Sequence, residues 1–250
     1  MTDDAAWRAC LERAALAALP ARESHELDGW LLRLSGGGPK RANAAYPIGV
    51  PQTPLDERLR LAGALFAAQG SALTVRLTGL EHEAGLDAGL AARGFERLDP
   101  SWVLWRDVAG VAAPACGLLL LEREDWLARR ALLADDTADR LAIHAALLRR
   151  LPGPAVWGAL VRDGDIAALG LAVPDGEWVG VFDLVTAPAA RRQGCARALL
   201  SGLLQAGREF GARHAYLQCI AANAPAMALY RALGFGAAYR YWYRRAPSLN

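Results

Sequence analysis

The sequence predicts an α/β protein built from two related halves, and three observations predict it. Apolar runs of strand length alternate with segments whose apolar residues recur at helical spacing. A shift of 140 positions lays Gly94-Phe95 on Gly234-Phe235, Trp102 on Trp242 and Leu77 on Leu217. The run Val179 to Val185 passes through a short turn into an amphipathic segment carrying Leu199, Leu200, Leu203 and Leu204, which reads as strand, turn, helix.

In the first half, Ala5 to Leu19 has the composition and spacing of a helix and stops at Pro20. Leu27 to Leu34 and Ala42 to Ile48 read as strands joined across Ser35-Gly36-Gly37-Gly38-Pro39. That loop lacks the Gly-Lys-Ser/Thr ending of a phosphate loop, and no helix follows it, so it reads as a hairpin connection. Pro54 to Ala68 is helical, Ala72 to Leu77 a strand, His82 to Ala92 a helix, and Glu96 to Arg106 a strand. The small apolar stretch Val108 to Pro114 is the expected linker, dividing residues 1–108 from a second domain at 117–250.

The second half opens with a short strand at Leu118 to Leu121 and a helical span from Asp125 to Leu151. Ala155 to Arg162 and Ile166 to Val173 flank Asp163-Gly164-Asp165, a hairpin signal. After the Val179 strand come a helix to about Phe210, a strand at His214 to Ile220, a helix from Ala224 to Leu233 and a last strand beyond Phe235. The cluster Tyr239, Tyr241, Trp242 and Tyr243 reads as cover for an edge strand or as the lining of an acceptor pocket.

Composition narrows the function. The chain has 250 residues, 54% of them hydrophobic, enough for a large core and too many for a disordered chain. Its 28 basic and 26 acidic residues leave a formal charge of +2, which does not suggest a nucleic-acid partner. The four cysteines, Cys10, Cys116, Cys195 and Cys219, form no metal or disulfide pattern. Scattered thiols and the lack of a signal-like leader lead to an expected cytoplasmic location with no membrane span.

Chemistry concentrates in the second half. Arg191-Arg192-Gln193-Gly194-Cys195-Ala196-Arg197 is a turn stripped of bulk just before a helix. Unpaired N–H groups at the positive end of a helix dipole suit it to a pyrophosphate. Asn223 opens the helix after the His214 strand, and Tyr230 lies seven residues on, near the same helix face. Taken singly, Asn223 is a helix cap, Tyr230 a packed aromatic, and Cys195 a packing residue.

Together these residues resemble the GNAT superfamily of acyl-CoA-dependent N-acetyltransferases over roughly residues 117–245. Arg191, Gly194 and Ala196 meet the family's turn signature, and Asn223, Ala226, Leu229-Tyr230 and Gly234-Phe235 its second signature. The resemblance implies two GNAT-like domains, each a mixed, mostly antiparallel sheet flanked by helices. In the C-terminal one, parallel strands ending at Thr186 and near Ile220 would splay to form an acyl-CoA cleft. Acetyl-CoA would be held by Leu184, Val185, Thr186, Arg191, Arg192, Gln193, Gly194, Cys195, Ala196, Arg197, Asn223, Ala226 and Tyr230, with no metal. A backbone N–H near Val185 would face the oxyanion, Tyr230 would protonate the leaving sulfur, and Asp183 would serve as base, with His144 and His214 as other candidates. The first half resembles a degenerate copy, since the counterpart of the Gly194 turn, Pro54 to Arg60, has no Gly, and Leu90 stands where Tyr230 would be. The expected activity is acetyl transfer to a primary amine on a small molecule, by a monomer or homodimer. The alternatives are a non-catalytic acyl-CoA sensor and an acyltransferase acting on a thiol or hydroxyl.

Overall fold

The computed structural model describes residues 4–80, 83, 85–111, 117–133, 137–151 and 153–247. Helix α1 (Asp4–Ala17) precedes the hairpin β1 (Glu23–Leu27) and β2 (Trp30–Leu34). A turn of 3-10 helix (Lys40–Ala42) leads to β3 (Ala44–Pro47), α2 (Leu55–Ala67), β4 (Thr74–Leu77), α3 (Leu86–Ala92) and β5 (Glu96–Asp107). The second half runs β6 (Leu119–Leu120), α4 (Arg123–Leu133), α5 (Ala138–Leu148), β7 (Val156–Arg162) and β8 (Asp165–Asp175). It closes with β9 (Trp178–Thr186), α6 (Cys195–Glu209), β10 (His214–Ile220), α7 (Ala224–Ala232) and β11 (Gly236–Arg245).

The 140-residue repeat extends well beyond the few identities visible in the sequence. Leu55 and Cys195 begin α2 and α6, Thr74 and His214 begin β4 and β10, and Glu96 and Gly236 begin β5 and β11, each pair 140 positions apart. Both halves are antiparallel except for one parallel pair each, β3 with β4 and β9 with β10.

All eleven strands form one sheet, in the order β1-β2-β3-β4-β11-β5-β10-β9-β8-β7-β6. The last strand of each half is exchanged: β5 lies against β10, and β11 lies against β4. The halves divided at 108 and 117 therefore share a sheet, and each completes the other. Residues 112–114 of the expected linker lie outside the described residues, as do Cys116 and the expected helix start at His82.

Two sequence readings are corrected. Leu27 to Leu34 is not one strand, because Asp28 and Gly29 turn the chain with φ of 42° and 77°, and β1 precedes them. Strand β1 was invisible because it is an exposed edge, Glu-Ser-His-Glu-Leu, with no apolar face to alternate. The tyrosines near the C-terminus do not cover an edge: β11 is central, and Tyr239, Tyr241 and Tyr243 are buried.

Period-two alternation sends side chains to two faces. Helices α2, α3, α6 and α7 cover one face, over Ala62, Phe66 and Leu90 in the first half and Leu199, Leu203 and Met227 in the second. The opposite face carries Phe182, Tyr216, Tyr239, Tyr241 and Tyr243 under α1, α4 and α5. At its centre the Arg76 guanidinium, 2% exposed, makes a two-pronged pair with Glu12 of α1 at 2.7 and 2.8 Å. It also stacks 4.2 Å from the Tyr241 ring centroid, while Tyr239 donates its hydroxyl to Glu12. Removing one partner of a buried pair strands the other charge. Glu12→Gln is expected to cost about 3 kcal/mol of unfolding free energy, measured by urea titration with m unchanged.

Candidate active site

The site starts from an irregularity in β9. Its pairing with β8 runs Leu171 to Phe182 and resumes Leu169 to Val185, so Asp183 and Leu184 together face Gly170. This bulge puts Asp183 at φ 51°, and such a conformation costs about 1–3 kcal/mol for a non-glycine residue. Gly170 gives room opposite it: a Cβ there would sit 2.8 Å from a Leu203 methyl and 2.9 Å from a Leu184 methyl, which would have to shift.

Beyond the bulge β9 leaves its parallel neighbour. Pairing with β10 ends at Leu217 with Val181, although β9 continues to Thr186 and β10 to Ile220. The splay expected between these strands is present. The Ala187 N–H donates to the Ala167 carbonyl on the β8 side. By ladder alternation Val185 N–H also points toward β8, while those of Leu184 and Thr186 point to the side β10 has vacated.

A groove of about 1130 Å³ runs from the splay to the start of α6. It gathers Leu184, Val185, Thr186, Arg191, Arg192, Gly194, Cys195, Ala196, Arg197, Asn223, Ala226 and Tyr230. Of the expected cofactor residues only Gln193 is absent from its walls; its amide donates to the Ala189 carbonyl at 2.7 Å, and it lines a neighbouring cavity with Arg106 and Arg162. Gly194 stands at the N-cap of α6 with φ 81° and offers no side-chain acceptor, so the first-turn N–H groups face outward uncapped. A Cβ at Gly194 would meet no atom within 4 Å, which leaves room for a phosphate oxygen.

Asn223 is the N-cap of α7, its Oδ1 accepting from Ala226 N–H at 3.2 Å, and it reaches the groove from that position. Tyr230 packs edge-on against Phe235 with centroids 6.1 Å apart. Burial, with Cys219 beside it, pushes its phenol up to about 12. It therefore holds its proton throughout the neutral range. Cys195 is buried, as packing requires, and His214 pairs with Asp107 at the far end of β10.

Asp183 is not the free carboxylate that a direct base would be. His144 Nε2 lies 2.8 Å from its Oδ2, and an Arg130 guanidinium nitrogen lies 3.3 Å from its Oδ1. Burial alone would raise its pKa, but the hydrogen bond and charge of His144, with Arg130 and Arg41, bring it down to about 2. His144 is itself only 12% exposed. Arg130 is an addition that the sequence did not single out. Arg41 lies in the loop after the Gly36–Gly38 run, with its guanidinium 4.9 Å from the Phe182 ring centroid. Ile143 of α5 packs on Gly37 and Gly38, so this loop of the first half borders the second half's splay.

The first half's counterpart of the groove is closed. The cavity lined by Trp30, Gly49, Leu55 and Arg58 is about 210 Å³. The N–H groups of Gln52 and Thr53, ahead of α2, are taken by the Asp28 carboxylate at 2.7 and 2.9 Å. Among the described residues no group of three or more His, Cys, Asp or Glu could hold a metal, and no helix is long and apolar enough to cross a membrane.

Asp183 gives this site a pH signature. A carboxyl lowered from 3.8 to about 2 contributes stability that is complete above 3.8 and is lost as pH falls toward 2. Asp183→Asn is expected to destabilise by about 2 kcal/mol at pH 7. The difference from the parent should stay flat to pH 5 and shrink below pH 4, as read by denaturant titrations at pH 7, 5 and 3.

Comparison with known proteins agrees with this architecture. A family model described as "Probable histone acetyltransferase Rv0428c C-terminal" matches residues 5–244. The chain is 23% identical over 243 residues to the uncharacterized N-acetyltransferase YobR of Bacillus subtilis, covering 94% of this chain and 96% of that one. A GCN5-related N-acetyltransferase structure from Kribbella flavida superposes with a TM-score of 0.70 at 18% identity, covering 100% of this chain and 97% of that one. A tandem GNAT protein from the clavulanic acid biosynthesis pathway superposes with a TM-score of 0.61 at 18% identity, over 86% of this chain and 77% of that one. A bulged strand splaying from its neighbour, a bare helix N-terminus and a protonated phenol thus sit in a chain that belongs to the Rv0428c C-terminal family, within the GNAT superfamily of acetyltransferases.

Proposed function

We infer that the protein transfers the acetyl group of acetyl-CoA to a primary amine on a small molecule, in the second half's groove. The observation that carries this reading is the convergence, in one groove, of outward main-chain donors at the splay, the uncapped start of α6 and the Tyr230 phenol. Acetyl-CoA supplies an acyl group activated as a thioester. The first-turn N–H groups of α6 would hold its diphosphate, with Arg191, Arg192 and Arg197 adding charge. Leu184 or Thr186 N–H would face the carbonyl oxygen, where one such donor is worth about 3 kcal/mol in comparable sites. Tyr230 keeps its proton available for the departing sulfur, and the groove walls hold both reactants in line.

The first half serves as a supporting lobe with no cofactor of its own, because Asp56 and Glu57 put negative charge in the first turn of α2 and the cavity there is only about 210 Å³. Its contribution is Arg41 beside the splay and β5 beside β10. The family description names a histone acetyltransferase. The groove is lined by Arg191, Arg192 and Arg197 and by no carboxylate among the described residues, so the repeated positive charges of a lysine-rich tail find no counter-charges along it. A small amine fits better.

Tyr230→Phe should lower kcat about 100-fold and leave acetyl-CoA affinity within about twofold, as expected for loss of a general acid. Steady-state thiol release together with calorimetry checks this, and an unchanged kcat would remove Tyr230 from the chemistry. Gly194→Glu should abolish acetyl-CoA binding in calorimetry while circular dichroism stays native; normal binding would refute the diphosphate assignment. A thiol-release panel of amino acids, polyamines, amino sugars and a histone-tail peptide should single out a small amine.

A further inference from the structure

We propose that His144 is the proton acceptor of this site, working through Nδ1 while Asp183 holds its Nε2, which makes Asp183 a positioning residue and the α5 helix a catalytic element. The inference rests on the acetyl-transfer reading of the groove and adds a residue to it.

The tautomer is set by the partner. An ionised carboxylate only accepts hydrogen bonds, so the 2.8 Å contact between Asp183 Oδ2 and His144 Nε2 requires the hydrogen on Nε2. The neutral imidazole then carries its lone pair on Nδ1. Positive charge remains beside Asp183 when the imidazole is neutral. Arg130 from α4 pairs with its other oxygen at 3.3 Å, and Arg41 from the first half adds a second guanidinium nearby. Asp183 on β9 is the charged group shown in contact with the imidazole, and Arg130 on α4 and Arg41 in the 3-10 turn act on Asp183.

The location fits an acceptor amine. Asp183 is the first residue of the bulge, directly before Leu184, whose N–H faces the splay. His144, Asp183 and Arg130 lie on the sheet face of α4 and α5, opposite the helix α6 that would hold the diphosphate. Gln218 belongs to this same face by alternation with Tyr216 and lies one residue past the last β9–β10 pair. Its Oε1 is buried with no donor among the described residues, and a buried acceptor of this kind calls for an N–H. An ammonium entering from this side supplies one. The strained backbone at Asp183 is then the cost of presenting the carboxylate to α5.

Protons balance over the transfer. His144 Nδ1 takes one proton from the ammonium, and the neutral amine bonds to the acyl carbon as the carbon–sulfur bond breaks. The sulfur takes the phenolic proton of Tyr230, the surplus proton on nitrogen restores the phenol, and the imidazolium gives its proton to water. One proton is released per acetyl group moved.

Two measurements on the full chain test this. In long-range proton–nitrogen spectra of histidine-labelled protein between pH 6 and 9, His144 should show a protonated Nε2 and a bare Nδ1 on the alkaline side. The signal is assigned by its loss in His144→Gln or, if that variant does not fold, by elimination through single replacements of His25, His82 and His214. A bare Nε2 overturns the proposal. With the amine selected by the panel, His144→Gln should lower kcat about 100-fold, leave the acetyl-CoA KM within about twofold and erase the acid limb of the kcat profile. An unchanged acid limb in His144→Gln overturns the proposal alone, whereas a panel in which no amine is acetylated overturns the reading of the groove and the proposal with it.

Discussion

The bulge at Asp183 and Leu184 is the constraint on which the rest of the site depends. Two residues facing the single Gly170 twist β9 out of register with β10, and the parallel ladder stops at Val181 and Leu217. This single distortion acts on both faces of the sheet. On the α6 face the separated strands open the groove that ends at the Gly194 turn. On the α5 face the same change in the backbone aims the Asp183 carboxylate at His144 and Arg130. Opposite the bulge, the space that a side chain at Gly170 would take is filled by Leu184, Leu199 and Leu203.

The exchange of β5 and β11 gives that distortion a rigid frame. Strand β10 must hold its position while β9 departs, and it does so because β5 pairs with it along its whole length, from His214 with Asp107 to Ile220 with Ser101. Strand β5 comes from the half without an open groove, so that half is structurally indispensable to the other. The reciprocal strand, β11, brings Tyr239, Tyr241 and Tyr243 across to the buried Arg76–Glu12 pair near the centre of the molecule. The two halves also differ where they correspond: a carboxylate, Asp28, sits against the amides before α2, while the matching turn before α6 is bare.

The chemistry divides between the faces of the sheet. The α6 and α7 side contributes main-chain N–H groups, arginines and a phenol whose burial keeps it protonated. The α4 and α5 side contributes a carboxylate kept ionised by its cationic neighbours. Burial raises both groups, and it is overcome only at the carboxylate, which alone of the two has positive partners within reach.

What the sequence determined by itself is local. The junction from Val179 through Gly194 to Leu204, the cap at Asn223 and Tyr230 seven residues later depend on short-range spacing and backbone permissiveness, which one stretch of chain records. The 140-residue offset likewise carried the order of elements, since each half repeats the same local choices. What only the tertiary structure decided is partnership across distance. The exposed edge strand β1 has no alternation to betray it, the exchange of β5 and β11 depends on which of two similar edges each strand meets, and His144 is 39 positions from Asp183. Periodicity says which face of an element is buried but not against what, and the proton acceptor of a site is defined by its neighbour.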